Sequence, residues 1–277
     1  MNKRYINTII VVIVMVFLSN SIAIGKPANL EVTFFDVGAG DCNYIKLPNG
    51  KDVLIDGGTP SKGYDVVGQL IRQKTNNTVD YVISTHPDYD HFGGLQNVFK
   101  RFNVKNFYYP KDVKYDDTQT SRYVMSLAKK EKGCKIMDAT PGAKIAGGKA
   151  SIEFVQSSKD YSGSNEDSVM CYVDYGNFEM LLTGDAERGA EALAKGYNVD
   201  VVQAPHHGSQ YSSSMEFIEK FDPEYVVIST DGKKYGHPHK ATLQRYKDYD
   251  SKIKIFRTDQ KGNIKIRANS NNWRFVS

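Results

Sequence analysis

The chain has 277 residues, 40% of them hydrophobic and 25% charged, with a formal net charge of +4. That composition excludes a disordered chain and a protein embedded throughout in a membrane, and it leaves a folded chain long enough to bury a substantial core. The charge invites a polyanion-binding reading, but Lys3 and Arg4 lie in an N-terminal stretch without acidic residues. Without them the balance falls to +2, so net charge supplies little evidence for a polyanionic substrate.

Lys3 and Arg4 precede an apolar run from Thr8 to Leu18, and small residues follow at Ser21, Ala23 and Gly25. This is the layout of a secretory signal peptide, with an uncleaved N-terminal anchor as the alternative. Residues 1–25 are therefore set apart as a leader. Residues 30–277 read as one domain, because no linker rich in Pro, Gly or Ser divides them. Either form of leader places the folded part outside the cytoplasmic membrane, and a retained leader would hold it at the membrane. The three cysteines, Cys42, Cys134 and Cys171, form no spaced metal motif and read as buried small residues, a disulfide between two of them remaining open.

After the leader, Leu30 to Val37, Asn43 to Leu47 and Asp52 to Ile55 read as short strands separated by turns. Tyr64 to Gln73 predicts a helix, Val79 to Ser84 a strand, Phe92 to Phe102 a helix, Val104 to Tyr109 a strand and Asp116 to Lys132 a helix ended by Gly133. The second half repeats the theme. Strands are expected at Ala150 to Val155, Val169 to Tyr175, Phe178 to Thr183, Val199 to Ala204 and Tyr225 to Ser229. Helices are expected at Glu187 to Lys195, Ser213 to Phe221 and Lys240 to Asp248, and closing strands near Ile253 to Arg257, Gly262 to Arg267 and Trp273 to Val276. Ser157 to Asp167 reads as a polar loop. Two strand-rich halves, each followed by helices, predict two stacked sheets with helices on the outer faces.

The chemistry concentrates in Ser84 to Gly94. His86, Asp88, Asp90 and His91 fall within six positions on the turn between a strand and a helix. A polar loop with capping carboxylates is the simpler account of one Asp there, but two His and two Asp at this density point to a divalent-metal site. The strand-then-ligand layout recurs twice. Asp185 follows Met180 to Leu182, where a helix cap is the ordinary reading of an isolated Gly-Asp and a carboxylate bridging two cations is the reading beside the His86 cluster. His206 and His207 follow Val199 to Ala204. Neighbours on an extended segment point to opposite sides, so one of the pair is expected to bind metal and the other to meet substrate or donate a proton. His237 stands beside Pro238 and is a weaker candidate for the same role. Asp56 could orient a metal-binding imidazole through a hydrogen bond, while the glycines around it and around Asp36 to Asp41 read as tight turns.

Taken together, Phe35 to Asp41, Leu54 to Gly58, Ser84 to Gly94, Asn165 with Ser168-Val169, Leu182 to Asp185, Ala204 to Ser209 and Tyr235 to Pro238 resemble the metallo-β-lactamase fold. Within it they resemble the metal-hydrolase domain of ComEC-type competence proteins. The resemblance implies an α/β, four-layer αββα sandwich and a metal-activated water. It also implies a site of His86, Asp88, Asp90, His91, Asp185 and His207, with Asp90, His206 and His237 serving catalysis. The broader family has His where this chain has Asp88, and a further ligand His between the first cluster and the bridging Asp. No His occurs here between His91 and His206, and Asn165 or Ser168 occupies that region. The donor set, poorer in imidazole, predicts one or two ions, with manganese favoured beside or in place of zinc.

The implied activity is an exported phosphodiesterase, a nuclease acting on DNA. Two rivals stand beside it: hydrolysis of another ester or phosphodiester such as envelope phosphocholine, and a degenerate DNA- or envelope-binding module. Tyr108, Tyr109 and Tyr161 could stack on bases, though burial is their simpler explanation.

Overall fold

The computed structural model describes residues 29–276 apart from 75, 116 and 157–164. The leader of residues 1–25, Tyr161 and most of the expected Ser157 to Asp167 loop lie outside the described residues. Among the described residues, no helix is long and apolar enough to cross a membrane.

The chain opens as a meander of β1 (Leu30–Phe34), β2 (Asn43–Lys46) and β3 (Asp52–Ile55), followed by α1 (Gly63–Gln73) and β4 (Thr78–Ile83). Next come α2 (Tyr89–Phe92), α3 (Leu95–Arg101), β5 (Asn103–Tyr109), α4 (Gln119–Lys130) and β6 (Lys135–Asp138). The second half runs β7 (Lys144–Gly147), β8 (Ala150–Gln156), β9 (Met170–Tyr175), β10 (Phe178–Leu182), α5 (Arg188–Leu193), β11 (Val201–Gln203) and α6 (Met215–Phe221). It closes with β12 (Tyr225–Ile228), α7 (Lys240–Tyr249), β13 (Lys254–Arg257), α8 (Thr258–Lys261), β14 (Ile264–Ala268) and β15 (Trp273–Val276).

One sheet has the order β15-β14-β1-β2-β3-β4-β5-β6 and the other β13-β12-β11-β10-β9-β8-β7. Their facing sides form a shared core. Val32, Phe34, Ile55 and Ile83 of the first sheet belong to one buried cluster with Ile152, Phe154, Met180 and Val201 of the second. Outside the first sheet, Val66 and Leu70 of α1, Val98 of α3 and Val124 of α4 pack on Leu54 and Val82. Outside the second, Ala190 of α5, Phe217 of α6 and Tyr246 of α7 pack on Val202 and Val226. Burying each large apolar side chain contributes roughly 1.5–3 kcal/mol, which is what fixes α1 by Val66 and Leu70, one turn apart. The architecture is therefore the expected αββα sandwich.

Three local expectations are corrected. The helix expected over Phe92 to Phe102 breaks at Gly93-Gly94, where a side chain on Gly94 would collide with the Gly57 carbonyl. The two halves do not each keep their own sheet, since β14 pairs with β1 and carries β15 into the first sheet. Strands β6 and β7 and the short α8 were not expected. The cysteines are all free thiols. Tyr108 and Tyr109 pack on neighbouring rings, Tyr108 against Phe154 at 5.1 Å and Tyr109 against Tyr115 at 5.1 Å, which answers for them as structural aromatics.

Candidate metal centre

Strands β3, β4 and β5 run parallel in one sheet, as do β10, β11 and β12 in the other. In such sheets ligand-binding groups gather past the carboxyl ends of the strands. Here Asp56 follows β3, His86 follows β4, Asp185 follows β10, and His206 and His207 follow β11. The turn between β1 and β2 reaches the same edge and brings Asp41. Gly40, at φ +143°, lets that turn lie directly on the Asp90 backbone, where a Cβ would clash with the Asp90 carbonyl. The Asp41 amide donates to that same carbonyl at 3.2 Å.

The imidazoles are oriented from behind. His91 Nδ1 lies 2.9 Å from Asp56 Oδ2 and His207 Nδ1 3.0 Å from the Ser229 carbonyl oxygen. Both partners are acceptors, so each ring donates through Nδ1 and, when neutral, offers a lone pair at Nε2. Thr85 donates its hydroxyl to Asp56 Oδ2 at 2.6 Å and can therefore accept from His86 Nδ1 at 2.9 Å. His86 Nε2 is then a third lone pair; it is fully buried and has no hydrogen-bond partner. One carboxylate, Asp56, thus sets two rings, directly and through Thr85.

Those lone pairs converge. His91 Nε2 and His207 Nε2 are 3.3 Å apart, and Asp185 Oδ1 lies 3.0 Å from the first and 3.4 Å from the second. Two imidazole acceptors at that separation repel unless positive charge joins them. A proton or a cation can supply it. Donor atoms within 4.8 Å of one another form the groups His86, His91, Asp185; Asp90, His91, His207; and Asp41, Asp185, His207. Imidazole nitrogen with carboxylate oxygen at these spacings fits a divalent transition metal.

The electrostatics agree. Burial would raise the Asp185 carboxyl, but His207, His91 and His86 around it hold it well below the ordinary carboxylate range. Burial would lower His91 and His207, yet Asp185 with Asp56 raises the first, and Asp185 with Asp41 the second. His86 is lowered by burial and by His91. Asp41 is pushed up to about 6 by burial, against the pull of His207 and His91. The carboxylates call for positive charge at the centre, and a buried Asp41 without one drifts toward its neutral form.

The remaining sequence candidates take distinct places. Asp88 Oδ2 is 3.9 Å from His86 Nε2 and Asp90 Oδ2 is 3.9 Å from His207 Nε2, so the two aspartates of one turn approach different imidazoles of the centre. Asp185 does not cap α5, whose N-cap is Glu187. The extended geometry expected for His206-His207 is replaced by consecutive left-handed residues, φ 50° and 54°, followed by Gly208 at φ 78°. Both rings consequently reach the same side. His206 Nε2 is 3.6 Å from Asp185 Oδ2, and its Nδ1 is 3.0 Å from Glu187 Oε1. His237 sits at the rim, edge-on to His206, with the ring centroids 5.3 Å apart. Burial, with His206 and His207 nearby, lowers its pKa to about 4. Ser168 Oγ reaches His86 Nδ1 at 3.4 Å and receives the Asp185 amide at 3.1 Å, and Asn165 Nδ2 lies 3.4 Å from His206 Nδ1.

The sequence reading missed Asp41 and Glu187 as site residues. Asp41 had a usable signal, since it closes a glycine turn at a strand end as Asp56 does. The centre opens into a cavity of about 390 Å³ lined by Asp88, Asp90, His206, Tyr211, Tyr235 and His237 among others. A larger cavity, about 550 Å³, opens among Asp200, Glu224 and Lys254, beside the starts of the same parallel strands, and holds none of these imidazoles.

A catalytic edge of this kind on an αββα sandwich defines a class of metal-binding folds, and the comparisons place the chain in it. The family model described as the metallo-beta-lactamase superfamily matches residues 35–233, and the chain belongs to that superfamily. Among curated proteins it is similar to ComE operon protein 3 of Bacillus subtilis (strain 168), 29% identical over 259 residues, covering 86% of this chain and 33% of that protein. It is also similar to Recombination protein 2 of Haemophilus influenzae, 26% identical over 239 residues, covering 83% of this chain and 28% of that protein. The chain thus spans about a third of the length of these relatives. Among solved structures, the metallo-beta-lactamase fold protein YhfI from Bacillus subtilis superposes with a TM-score of 0.55 at 13% identity, covering 88% of this chain and 99% of that one. Zn(2+)-bound PqqB from Methylobacterium extorquens superposes with a TM-score of 0.52 at 9% identity, over 82% of this chain and 97% of that one. At such identities these likenesses speak to the fold alone.

Proposed function

We propose that the chain is an exported metal-dependent phosphodiesterase that cleaves DNA. The observation that carries the metal-dependent part is the convergence of three outward-tethered imidazoles on Asp185, with His91 Nε2 and His207 Nε2 only 3.3 Å apart. Superfamily membership supports hydrolysis, and the name of one curated relative, Recombination protein 2, supports DNA as substrate. Export rests on the leader pattern of residues 1–25.

His86, Asp88 and Asp185 would hold one divalent ion, and Asp90, His91 and His207 with Asp185 a second, with Asp41 beside them. When bound, such a cation supplies an acidified water, with a pKa of about 7 for zinc, and positive charge at a phosphoryl oxygen. Asp90 stands at the mouth of the centre, where its carboxylate can take a proton. His206, backed by Glu187, is placed to give a proton to the leaving oxygen, and His237 to contact a phosphate oxygen through a neutral ring N–H. No Ser or Cys nucleophile is needed, and Cys42 and Cys171 are buried away from solvent.

The lack of a histidine between His91 and His206 favours one rival, a DNA- or envelope-binding module without turnover. Cleavage assays separate the readings. The protein should cut end-labelled single-stranded DNA and a chromogenic phosphodiester but not a lactone or a β-lactam, and His91→Ala should abolish the cutting. Undiminished cleavage by His91→Ala would place the activity elsewhere, and DNA binding without cleavage under every divalent metal would favour the rival.

A further inference from the structure

We propose that Tyr235 and Tyr211 form an aromatic platform at the mouth of the metal centre, on which the bases next to the scissile phosphate of a single-stranded nucleic acid stack. This rests on the phosphodiesterase reading and adds the part of the substrate that the protein grips.

Both rings are largely in solvent, the Tyr235 ring having the His237 ring 6.1 Å and the Lys234 ammonium 4.7 Å from its centroid. Tyr235 is 73% and Tyr211 61% exposed, and both line the cavity that holds Asp88, Asp90, Asp185 and His207. Large exposed aromatics beside a concave polar site are more informative than scattered ones. Their backbones are held as though the ring positions matter. Tyr235 adopts φ 57°, ψ 8°, a left-handed conformation that is uncommon for a bulky residue. Asp231 Oδ1 accepts from the amides of Lys233 and Lys234 at 2.9 and 2.8 Å, and Gly232 donates to Thr230 Oγ1 at 3.0 Å, so the turn carrying Tyr235 is pinned. The Tyr211 turn is pinned by Arg245, whose guanidinium donates to the carbonyls of Gln210, Ser212 and Ser213 at 3.3, 2.6 and 2.8 Å. Pinned loops presenting exposed rings are preorganised for binding flat groups.

The charge beside the rings fits a phosphate chain. Lys234 Nζ lies 4.7 Å from the Tyr235 ring centroid. A cation and an aromatic face side by side, next to a centre that takes a phosphodiester, match a nucleotide's phosphate and base. Stacking on tyrosine accepts every base and requires unpaired strands, so the platform selects single-stranded over duplex substrate without reading sequence.

The test compares two end-labelled oligonucleotides of equal length, one of thymidines and one in which the central nucleotides are abasic. The wild-type protein should show a lower KM for the thymidine strand. Tyr235→Ala should raise that KM roughly 5- to 100-fold with kcat changed by less than about twofold, leave the abasic strand unaffected, and keep its Tm. Tyr235→Trp should restore the low KM. The Ala variant adds no backbone strain, because Tyr235 already has a Cβ at positive φ. Equal KM values for both strands in the wild type, or an equal loss on both strands in Tyr235→Ala, would overturn stacking while leaving the phosphodiesterase reading intact. Cleavage of neither strand under any divalent metal would remove the phosphodiesterase reading, and the platform with it.

Discussion

Asp56 and His91, 35 residues apart and both fully buried, are joined by a hydrogen bond of 2.9 Å from His91 Nδ1 to Asp56 Oδ2. The same carboxylate accepts the Thr85 amide at 2.9 Å and the Thr85 hydroxyl at 2.6 Å, and Thr85 in turn meets His86. A fully buried carboxylate therefore decides where two imidazole lone pairs point.

Replacing that carboxylate should weaken metal binding before it unfolds the protein. Asp56→Asn keeps the shape but presents an amide nitrogen where at least one of three donors needs an acceptor. Groups that orient ligand imidazoles are worth about 10- to 100-fold in metal affinity. Calorimetric titration of metal-stripped protein should show a loss in that range for Asp56→Asn, and a larger one for His91→Ala. Unchanged affinity in Asp56→Asn would show that the rings hold their orientation without it.

Gly94 lies at an ordinary φ of −70°, yet a Cβ there would run into the Gly57 carbonyl. Gly133 lies at φ +83° with nothing within 4 Å of a Cβ. Gly133→Ala should therefore cost roughly 1 kcal/mol of backbone strain, and Gly94→Ala roughly 3 kcal/mol or more, because the His91 turn and the Asp56 turn must separate. At about 2–4 °C of Tm per kcal/mol for a chain of this size, thermal melts resolve the two. A milder effect at Gly94 than at Gly133 would mean that the two turns can part at little cost.

The thiols offer a pH-dependent check on burial. Burial, with Glu131 adding to it, pushes Cys134 up to about 11, and burial raises Cys42 and Cys171 as well. A raised thiol pKa keeps the proton on sulfur, so at pH 8 roughly one Cys134 in a thousand is the reactive thiolate. Alkylation by iodoacetamide should be slow at pH 8 and speed up about tenfold per pH unit toward 10, at Cys134 before the other two. Labelling that is fast at pH 8 and flat above it would contradict this environment.

Much of the fold was legible because its signals are local. Val79 to Ile83 and Met180 to Leu182 are short apolar runs, and the ligands directly after them could be read without knowing how the sheets pair. What was missed depends on distant partners. Asp41 looked like part of a glycine turn because its reason for being there is the Asp90 backbone, far along the chain. The apolar spacing of Phe92, Leu95, Val98, Phe99 and Phe102 continues across Gly93-Gly94, so the break is visible only once Gly57 is seen against it. Strands β6 and β7 are only four residues long and begin with exposed lysines, too short to show a period in the sequence. The left-handed geometry of His206 and His207, which turns both rings inward, follows from the amide of His206 donating to the Gly184 carbonyl at 3.0 Å, again a contact between separate strand ends.

The central claim is that the imidazoles and carboxylates gathered around Asp185 hold a divalent ion that makes the chain a phosphodiesterase. The most direct measurement follows cleavage of single-stranded DNA by metal-stripped protein as zinc, manganese, magnesium and calcium are restored one at a time, with bound metal counted in the same samples. The account predicts no cutting without metal, and cutting that rises with one or two equivalents of manganese or zinc. Cleavage that persists in fully stripped protein, or stoichiometric metal uptake with no cleavage of any phosphodiester, would contradict it.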